Sequence, residues 1–423
     1  MRIFLVQVLA VAVFLSVGPG AGADTGDGES RTWTSSDGKT VEGTLLAYDG
    51  DEVTLLTERG EFKLPLSRLG AEDQEFVKAW KEGSAGGEGE AMDPDLAAKE
   101  RSNKGSELLT DPLDEVELGV WPKFVVAEFD VDEIEVVKED EVAGEYIYRS
   151  PHFEFLSPEK LSTSVVREFA RIFEATYEFA RAIPIGLNPE PWKDGYYQTK
   201  LYGSNRAYQE DGGMAGSGGM FSYSWRGREI VKGIIKVPLS NLGVENTGRR
   251  WIVDHGKRSD TLTHEIAHQM TGRWLPIMPV WFKEGLAETI STQRYDNGRF
   301  TLTSMDRGIR EDVTKRSGDD REFSMLGLEK LMNITSQQWS ADLASGQGGR
   351  VNYPSANVLF YFFVRLDGDG KGTNLVNYMR AVAEGMDEVQ ARQEILMADR
   401  SYEQLEEDLA KAWRSEGLQV TYQ

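Results

Sequence analysis

The sequence predicts an α+β chain made of a small β unit and a larger mixed unit. Three observations predict it. Short alternating strands with tight turns fill residues 31–69, a Gly/Glu/Asp/Ser/Ala-rich stretch with few large apolar residues follows, and from Gly119 a run of strands gives way to a run of helices. At 423 residues there is room for two or three domains, and 40% hydrophobic content suffices for real cores.

The first residues read as an export signal. Arg2 is the basic flank, Ile3 to Val17 the apolar stretch, and Ala21-Gly22-Ala23 a small-residue cleavage site, giving a signal peptide over 1–23. The apolar run falls short of the ~20 residues that span a bilayer, and no later stretch is long and apolar enough. The expected mature protein is exported, with no membrane span. Residues 24–30 read as a flexible tail.

Residues 31–82 form the expected small unit. Thr40–Tyr48 alternates as a strand, Asp49-Gly50 turns it, and Glu52–Thr57 and Glu61–Pro65 follow around Gly60. Leu66–Leu69 closes a small barrel, and Ala71–Trp80 reads as a short helix. Residues 83–118 read as a disordered acidic linker.

Residues 119–423 are the main unit. Strands are expected at Lys123–Phe129, Ile134–Val137, Tyr146–Tyr148, His152–Phe155, Tyr197–Tyr202, Glu229–Leu239 and Arg299–Leu302. Ser157-Pro158 is placed to start a long helix, with Leu161, Val165, Phe169, Ile172, Phe173 and Tyr177 on its apolar face. Helices are also expected over Phe323–Met332, Tyr353–Leu366, Thr373–Glu384, Glu388–Met397 and Tyr402–Trp413. Asp367–Gly372 mimics a calcium loop, but Lys371 and Tyr378 stand where ligands are needed, so it reads as a turn. The glycine-rich Gly212–Met220 lacks the Lys-Ser/Thr ending of a phosphate loop and reads as a mobile loop.

Net charge is -23, from 70 acidic and 47 basic residues, which argues against nucleic acid and anionic membranes as partners. With no cysteine, disulfides and thiolate metal sites are excluded, and any metal must be held by His and carboxylate.

The chemistry-bearing stretch is Thr261–Met270, which contains His264-Glu265-x-x-His268. Residues four apart share a helix face, so both imidazoles can reach one ion. Glu265 lies about 100° round the helix from His264, where a general base stands beside a metal without binding it. Only 4 His occur in the chain, so chance would produce this pattern about 0.004 times. That favours a metal helix over two ordinary histidines. Ser259 or Asp260 is placed to cap the helix and Gly272 to end it, and Leu262, Ile266 and Met270 form one apolar stripe that leaves another face for chemistry.

A catalytic zinc takes three protein ligands and a water. The third candidate lies in Pro279–Glu288, where Glu284 and Glu288 also sit four apart on one helix face. Gly285 is costly inside a helix, about 1 kcal/mol against Ala. Its presence suggests that the two site helices approach closely there.

With His264-Glu265-x-x-His268 and Trp281-x-x-Glu284-Gly285-x-Ala287-Glu288, the chain resembles the gluzincin metallopeptidases, especially bacterial peptidase-MA-like proteins. The resemblance implies one Zn²⁺ held by His264, His268 and Glu284, with Glu265 as general base. Glu288 would be the carboxylate that orients a ligand histidine. Fifteen residues separate His268 from Glu284, somewhat fewer than in the best-known gluzincins. Nineteen separate it from Glu288, so Glu288 stays the rival ligand. Glu284 is favoured because it precedes the glycine, as the family's ligand does.

Tyr353 matches the place of a gluzincin tyrosine that hydrogen-bonds the developing oxyanion. A helix-start tyrosine packed in the core explains the same residue. The strand at Glu229–Leu239 matches the family's edge strand that pairs with the substrate backbone. Gly219-Met220 is similar to part of the Gly-Ala-Met-Glu-Asn motif of related aminopeptidases, but Phe221 replaces the Glu that binds a free amino terminus, which favours an endopeptidase. His152 among aromatics reads as structural. His255 is either a fourth polar group at the site or a loop histidine.

The small unit resembles an SH3-like domain first named in an endocytic adaptor. The match runs through Trp33-Thr-x-x-Asp37-Gly-Lys-Thr40, Pro65-Leu-Ser-x-Leu69 and Asp73-Gln74. That likeness implies a short-peptide ligand, whereas a stabilising appendage explains the same residues. The combined expectation is an exported bacterial zinc metallopeptidase acting on protein or peptide, in the periplasm or outside the cell. Two alternatives use the same residues: an inactive binding protein working through its SH3-like unit, and a zinc amidase acting on a non-protein amide.

Overall fold

The computed structural model describes residues 31–36, 39–48, 52–57, 60–71, 73–74, 77, 117–191, 195–214, 217–226, 229–258, 261–318, 321–344, 346 and 348–423. The expected signal peptide, the tail, most of the linker, the Asp49-Gly50 turn and the Ser259/Asp260 cap lie outside the described residues. The chain divides into one compact unit within residues 17–99 and another within 100–423. Both helices and sheets are present, as the α+β expectation requires.

In the smaller unit, strands β1 (Arg31–Thr34), β2 (Thr40–Tyr48), β3 (Glu52–Thr57) and β4 (Gly60–Pro65) form one antiparallel sheet in sequence order. Trp33, Val53, Leu55, Leu66, Leu69 and Val77 make its core. Asp73, itself buried, accepts the Thr34 N–H at 2.6 Å, and the Gln74 amide donates to the Leu69 carbonyl at 2.7 Å. Trp33, Asp73 and Gln74 thus hold this unit together. Such a small core needs those bonds, because few apolar side chains share the burden.

The larger unit begins with β5 (Phe124–Val126), followed by β6 (Glu135–Asp140), β7 (Glu145–Arg149) and β8 (Phe153–Ser157). The long helix α1 then spans Thr163–Ala182. Its cap is Ser162, whose side chain accepts from Val165 N, rather than Ser157 as the sequence suggested. Ser157 instead closes β8 and turns the chain by bonding Glu159 through its hydroxyl. Next come β9 (Tyr197–Tyr202), α2 (Asn205–Glu210), β10 (Met220–Arg226) and β11 (Glu229–Pro238).

Six of these strands form one sheet in the order β10-β11-β9-β8-β7-β6. The β11/β9 and β9/β8 pairs are parallel and the others antiparallel. The expected edge strand, β11, is therefore interior, and β10 is the edge. Within this sheet the alternation of β8 sends Phe153 and Phe155 onto α1, where they meet Phe169 and Phe173 at centroid distances of 5.1–5.3 Å. Burying each such ring is worth about 1.5–3 kcal/mol, which fixes α1 across the sheet.

A short ribbon, β12 (Val244–Asn246) and β13 (Trp251–Val253), leads to α3 (Leu262–Met270) and α4 (Val280–Ser291). Then β14 (Tyr295–Asp296) and β15 (Arg299–Thr301) form a small sheet with β5, so the expected Lys123–Phe129 strand is shorter and belongs here. The remainder is mainly helical: α5 (Met305–Ser317), α6 (Leu328–Asn333), α7 (Ser336–Ala344), α8 (Gly348–Tyr361, extended by a π-turn to Leu366), α9 (Thr373–Ala383), α10 (Glu388–Ala391) and α11 (Tyr402–Ser415).

The expected Phe323–Met332 helix is wrong at its start. Glu322–Met325 is a strand that pairs in parallel with the last strand, Gln419–Tyr422. Its partner lies about a hundred residues away, which no local pattern reveals. The Asp367–Gly372 turn carries positive φ at Gly368, Gly370 and Gly372, and both Asp367 carboxylate oxygens accept from Arg400. Asp367 is thus committed to a guanidinium.

Candidate metal centre

All nine residues of α3 are buried, so the helix has no solvent-facing side, contrary to the one-stripe expectation. It ends at Met270, where the Thr271 N–H and hydroxyl satisfy the last carbonyls, rather than through Gly272. The short helix is held by its surroundings more than by propensity.

His264 and His268 lie one turn apart with their rings nearly perpendicular, and their Nε2 atoms are 3.0 Å from each other. Glu284, on α4, brings Oε2 to 3.2 Å from His264 Nε2 and 3.3 Å from His268 Nε2. Among the described residues these three form the one group whose donor atoms could hold a metal ion together. Edges of about 3.3 Å are what a tetrahedron with ~2.0 Å bonds requires. Glu284 Oε2 is buried and has no well-formed hydrogen bond, although two ring nitrogens stand beside it. A buried carboxylate oxygen in that state fits a cation at the centre of the triangle. The donor set suits zinc and other divalent transition ions alike.

Glu288 is one turn further along α4. Its Oε1 lies 3.1 Å from His264 Nδ1, on the ring edge away from the triangle. Arg316 of α5 holds the other oxygen at 2.7 Å and is itself paired with Asp312 at 2.9 Å. Of the two glutamates it is therefore Glu284 that joins both Nε2 atoms in the triangle, while Glu288 lies at the other nitrogen of the His264 ring.

Electrostatics follow this arrangement. Burial alone would pull His264 down, but Glu284 and Glu288 outweigh it and push it up to about 10. Burial would raise Glu284, yet the His268 charge and contacts from both imidazoles hold it well below the usual carboxylate range. Burial also opposes ionisation of Glu288, and Arg316 with His264 overcomes it. Burial lifts Asp312 to about 6, although Arg316 opposes the shift.

Glu265 points the other way. Its Oε2 accepts the Phe221 N–H of β10 at 2.8 Å. Burial pushes this carboxyl up, against the charge of both histidines. It stands with His268 and Glu284 on the wall of a cleft of about 460 Å³, counting the open mouth. Phe221, Tyr223, Lys283 and Trp339 line the same space.

Gly285 does mark a close approach, but to α8 and not to α3. A Cβ there would sit 2.3 Å from the Ala356 carbonyl oxygen and 2.7 Å from Phe360 Cβ. The glycine lets α4 lie against the helix that carries Tyr353. That helix starts at Gly348, so Tyr353 lies inside it and not at its start. The Tyr353 ring stands edge-on to His264 with centroids 5.5 Å apart and edge-on to Trp339 at 5.3 Å. Its hydroxyl is buried without a well-formed hydrogen bond, and burial with the nearby Glu284 charge pushes it far up.

Sequence reasoning missed Tyr223, Lys283, Trp339 and Arg316. Tyr223 follows Phe221 by two, so both rings share a strand face; they stack at 5.4 Å. Burial, then the Glu284 charge, raises Tyr223 to about 12. His255 does not join the cluster; its Nε2 faces Glu168 at 3.4 Å on the surface. His152 is structural as expected: Nδ1 meets the buried Glu174 at 2.7 Å and the ring stacks on Tyr177 at 3.8 Å.

In comparisons with known proteins, no family model, curated protein or solved structure matches this chain.

Proposed function

We propose that the chain is a zinc-dependent hydrolase whose substrate is a peptide bond. The observation that carries the metal reading is the triangle of two imidazole nitrogens and one carboxylate oxygen with edges of 3.0–3.3 Å. Bound there, a zinc ion would polarise a carbonyl and lower the pKa of a water toward about 7.

The chain's own residues supply the rest. Glu265 is held by a backbone N–H, lines the cleft beside the triangle and is raised by burial. A carboxylate so placed can take a proton from water and return it to a leaving amine. Glu288, itself held by Arg316, lies beside the His264 ring to orient it, and the Tyr353 ring stands edge-on to that imidazole with its hydroxyl left without a well-formed bond.

The restriction to peptides rests on the gluzincin resemblance and on β10. This edge strand carries Phe221, and no described strand covers its outer side. An extended peptide could add to it directly beside Glu265. The export reading rests on residues 1–23 alone. No helix among the described residues is long and apolar enough to cross a membrane. The SH3-like assignment of the small unit, with a short-peptide ligand, is supported by its four-stranded antiparallel sheet and its motif residues.

The deciding experiment pairs metal analysis of the purified mature chain with proteomic cleavage profiling. One zinc per chain and chelator-sensitive cleavage of peptides are expected. A chain that retains no divalent metal would end the reading. Zinc without peptide cleavage would turn it toward an amidase or an inactive binding protein.

A further inference from the structure

The cleft beside the triangle carries a lysine on its wall. Lys283 directly precedes Glu284 on α4 and lines the space together with Phe221, Tyr223, Leu275, Val280 and Trp339. Its ammonium donates to the Leu275 carbonyl at 3.2 Å, and among the described residues no carboxylate lies within ion-pair distance of it. An ammonium has three donors, so this one keeps capacity for another acceptor. Holding it against aromatic and aliphatic walls is costly unless an anion matches it.

The other ionisable groups on the wall are Tyr223, whose phenol stays neutral, and Glu265, His268 and Glu284. A divalent ion in the triangle would balance the two carboxylates, which leaves the Lys283 charge uncompensated. The hydroxyl-bearing Ser336 and Ser340 of α7 line the same cleft and add donors but no anion.

We propose that Lys283 selects substrates that carry a carboxylate close to the bond to be cleaved. That carboxylate is either an acidic side chain or the free end of a peptide. The assignment rests on the metal-hydrolase reading above, since it places the carboxylate relative to the cluster.

The test uses the full mature chain loaded with zinc, its metal content measured first. Three peptidyl hydroxamates differ only beside the metal-binding group: a Glu with amidated end, a Gln with amidated end, and a Gln with a free carboxylate end. Their Kd values are measured by calorimetry on the wild type, Lys283→Met and Lys283→Arg. At least one carboxylate probe should bind the wild type about tenfold tighter than the neutral one, as a charged hydrogen bond implies. Which probe gains identifies the source of the carboxylate. Lys283→Met should erase the gain and leave the neutral probe within about twofold, whereas Lys283→Arg should keep part of it. Equal affinities for all three probes in the wild type, no binding to the zinc-loaded chain, or a gain that survives in Lys283→Met would overturn the proposal. Zinc retained without discrimination removes only the Lys283 role; a chain that holds no zinc removes the metal reading as well.

Discussion

Glu288 reaches His264 from the side away from the triangle of Nε2 and Oε2 atoms, with Oε1 3.1 Å from Nδ1. The two glutamates of α4 therefore differ in kind, although one helical turn separates them. Removing Glu284 takes away a donor atom, and removing Glu288 frees a ring to turn. Glu284→Ala should weaken zinc binding roughly a few hundredfold or more, a third of a typical site's binding free energy. Glu288→Ala should weaken it about 10–100-fold. Competition with a chromogenic chelator measures both, and the reverse order would exchange the two roles.

Glu265 touches the Phe221 N–H and the cleft but is no member of the triangle. Glu265→Gln keeps the shape and an acceptor for that N–H while removing the base. Zinc content should stay at the wild-type level, and turnover of a cleaved peptide should fall about 10²–10⁴-fold. Undiminished turnover in a zinc-replete variant would remove Glu265 from the mechanism.

Gly285→Ala tests the packing that delivers Glu284. Helix propensity favours Ala by about 1 kcal/mol. The new Cβ would meet the Ala356 carbonyl oxygen at 2.3 Å, and backbone cannot swing aside. Overpacking of this kind costs about 1–3 kcal/mol and here should reach the upper end. The urea midpoint should drop, and zinc affinity should drop with it, because α4 must shift away from α8. A variant as stable as the wild type would show that the helices have slack.

How much of this was legible before the fold is uneven. That His264 and His268 meet follows from spacing, because a fixed helical period turns sequence separation into a shared face. Long strands such as Tyr197–Tyr202 and helices such as Tyr402–Ser415 follow for the same reason. Spacing alone left Glu284 and Glu288 as rivals, and only the family resemblance favoured the one that joins the two rings. The edge strand does not: β10 is preceded by a glycine-rich loop, and only pairing with β11 shows which strand is outermost. Arg316 was hidden as well, since its partner Glu288 lies 28 residues back on another helix. Gly285 was noticed for its cost, yet its reason is a carbonyl of α8, about seventy residues downstream.

The metal-free site should carry a pH signature. His264 is raised from 6.5 to about 10. A group raised on folding adds stability that is complete below its unfolded pKa and is lost as pH rises through the folded value. The zinc-stripped protein should therefore lose stability between about pH 6.5 and 10, by up to about 1.4 kcal/mol per unit. With zinc bound the histidine is already neutral, so that decline should be absent. Urea titrations of both forms across this range give the comparison, and a flat metal-free curve would contradict the Glu284 and Glu288 contacts.

Tyr353 separates packing from chemistry. Its ring is locked between His264 and Trp339, and its hydroxyl is buried without a well-formed bond. Tyr353→Phe keeps the ring and removes only that hydroxyl. Because little bonding is lost, the thermal midpoint should stay the same or rise slightly. If the hydroxyl donates to an oxyanion during turnover, kcat should fall about 10–100-fold while KM changes little. Tyr223→Phe, made in parallel, reports on the other phenol near the site, the one that lines the cleft. A wild-type kcat for Tyr353→Phe together with a depressed one for Tyr223→Phe would move the donor role from α8 to the edge strand.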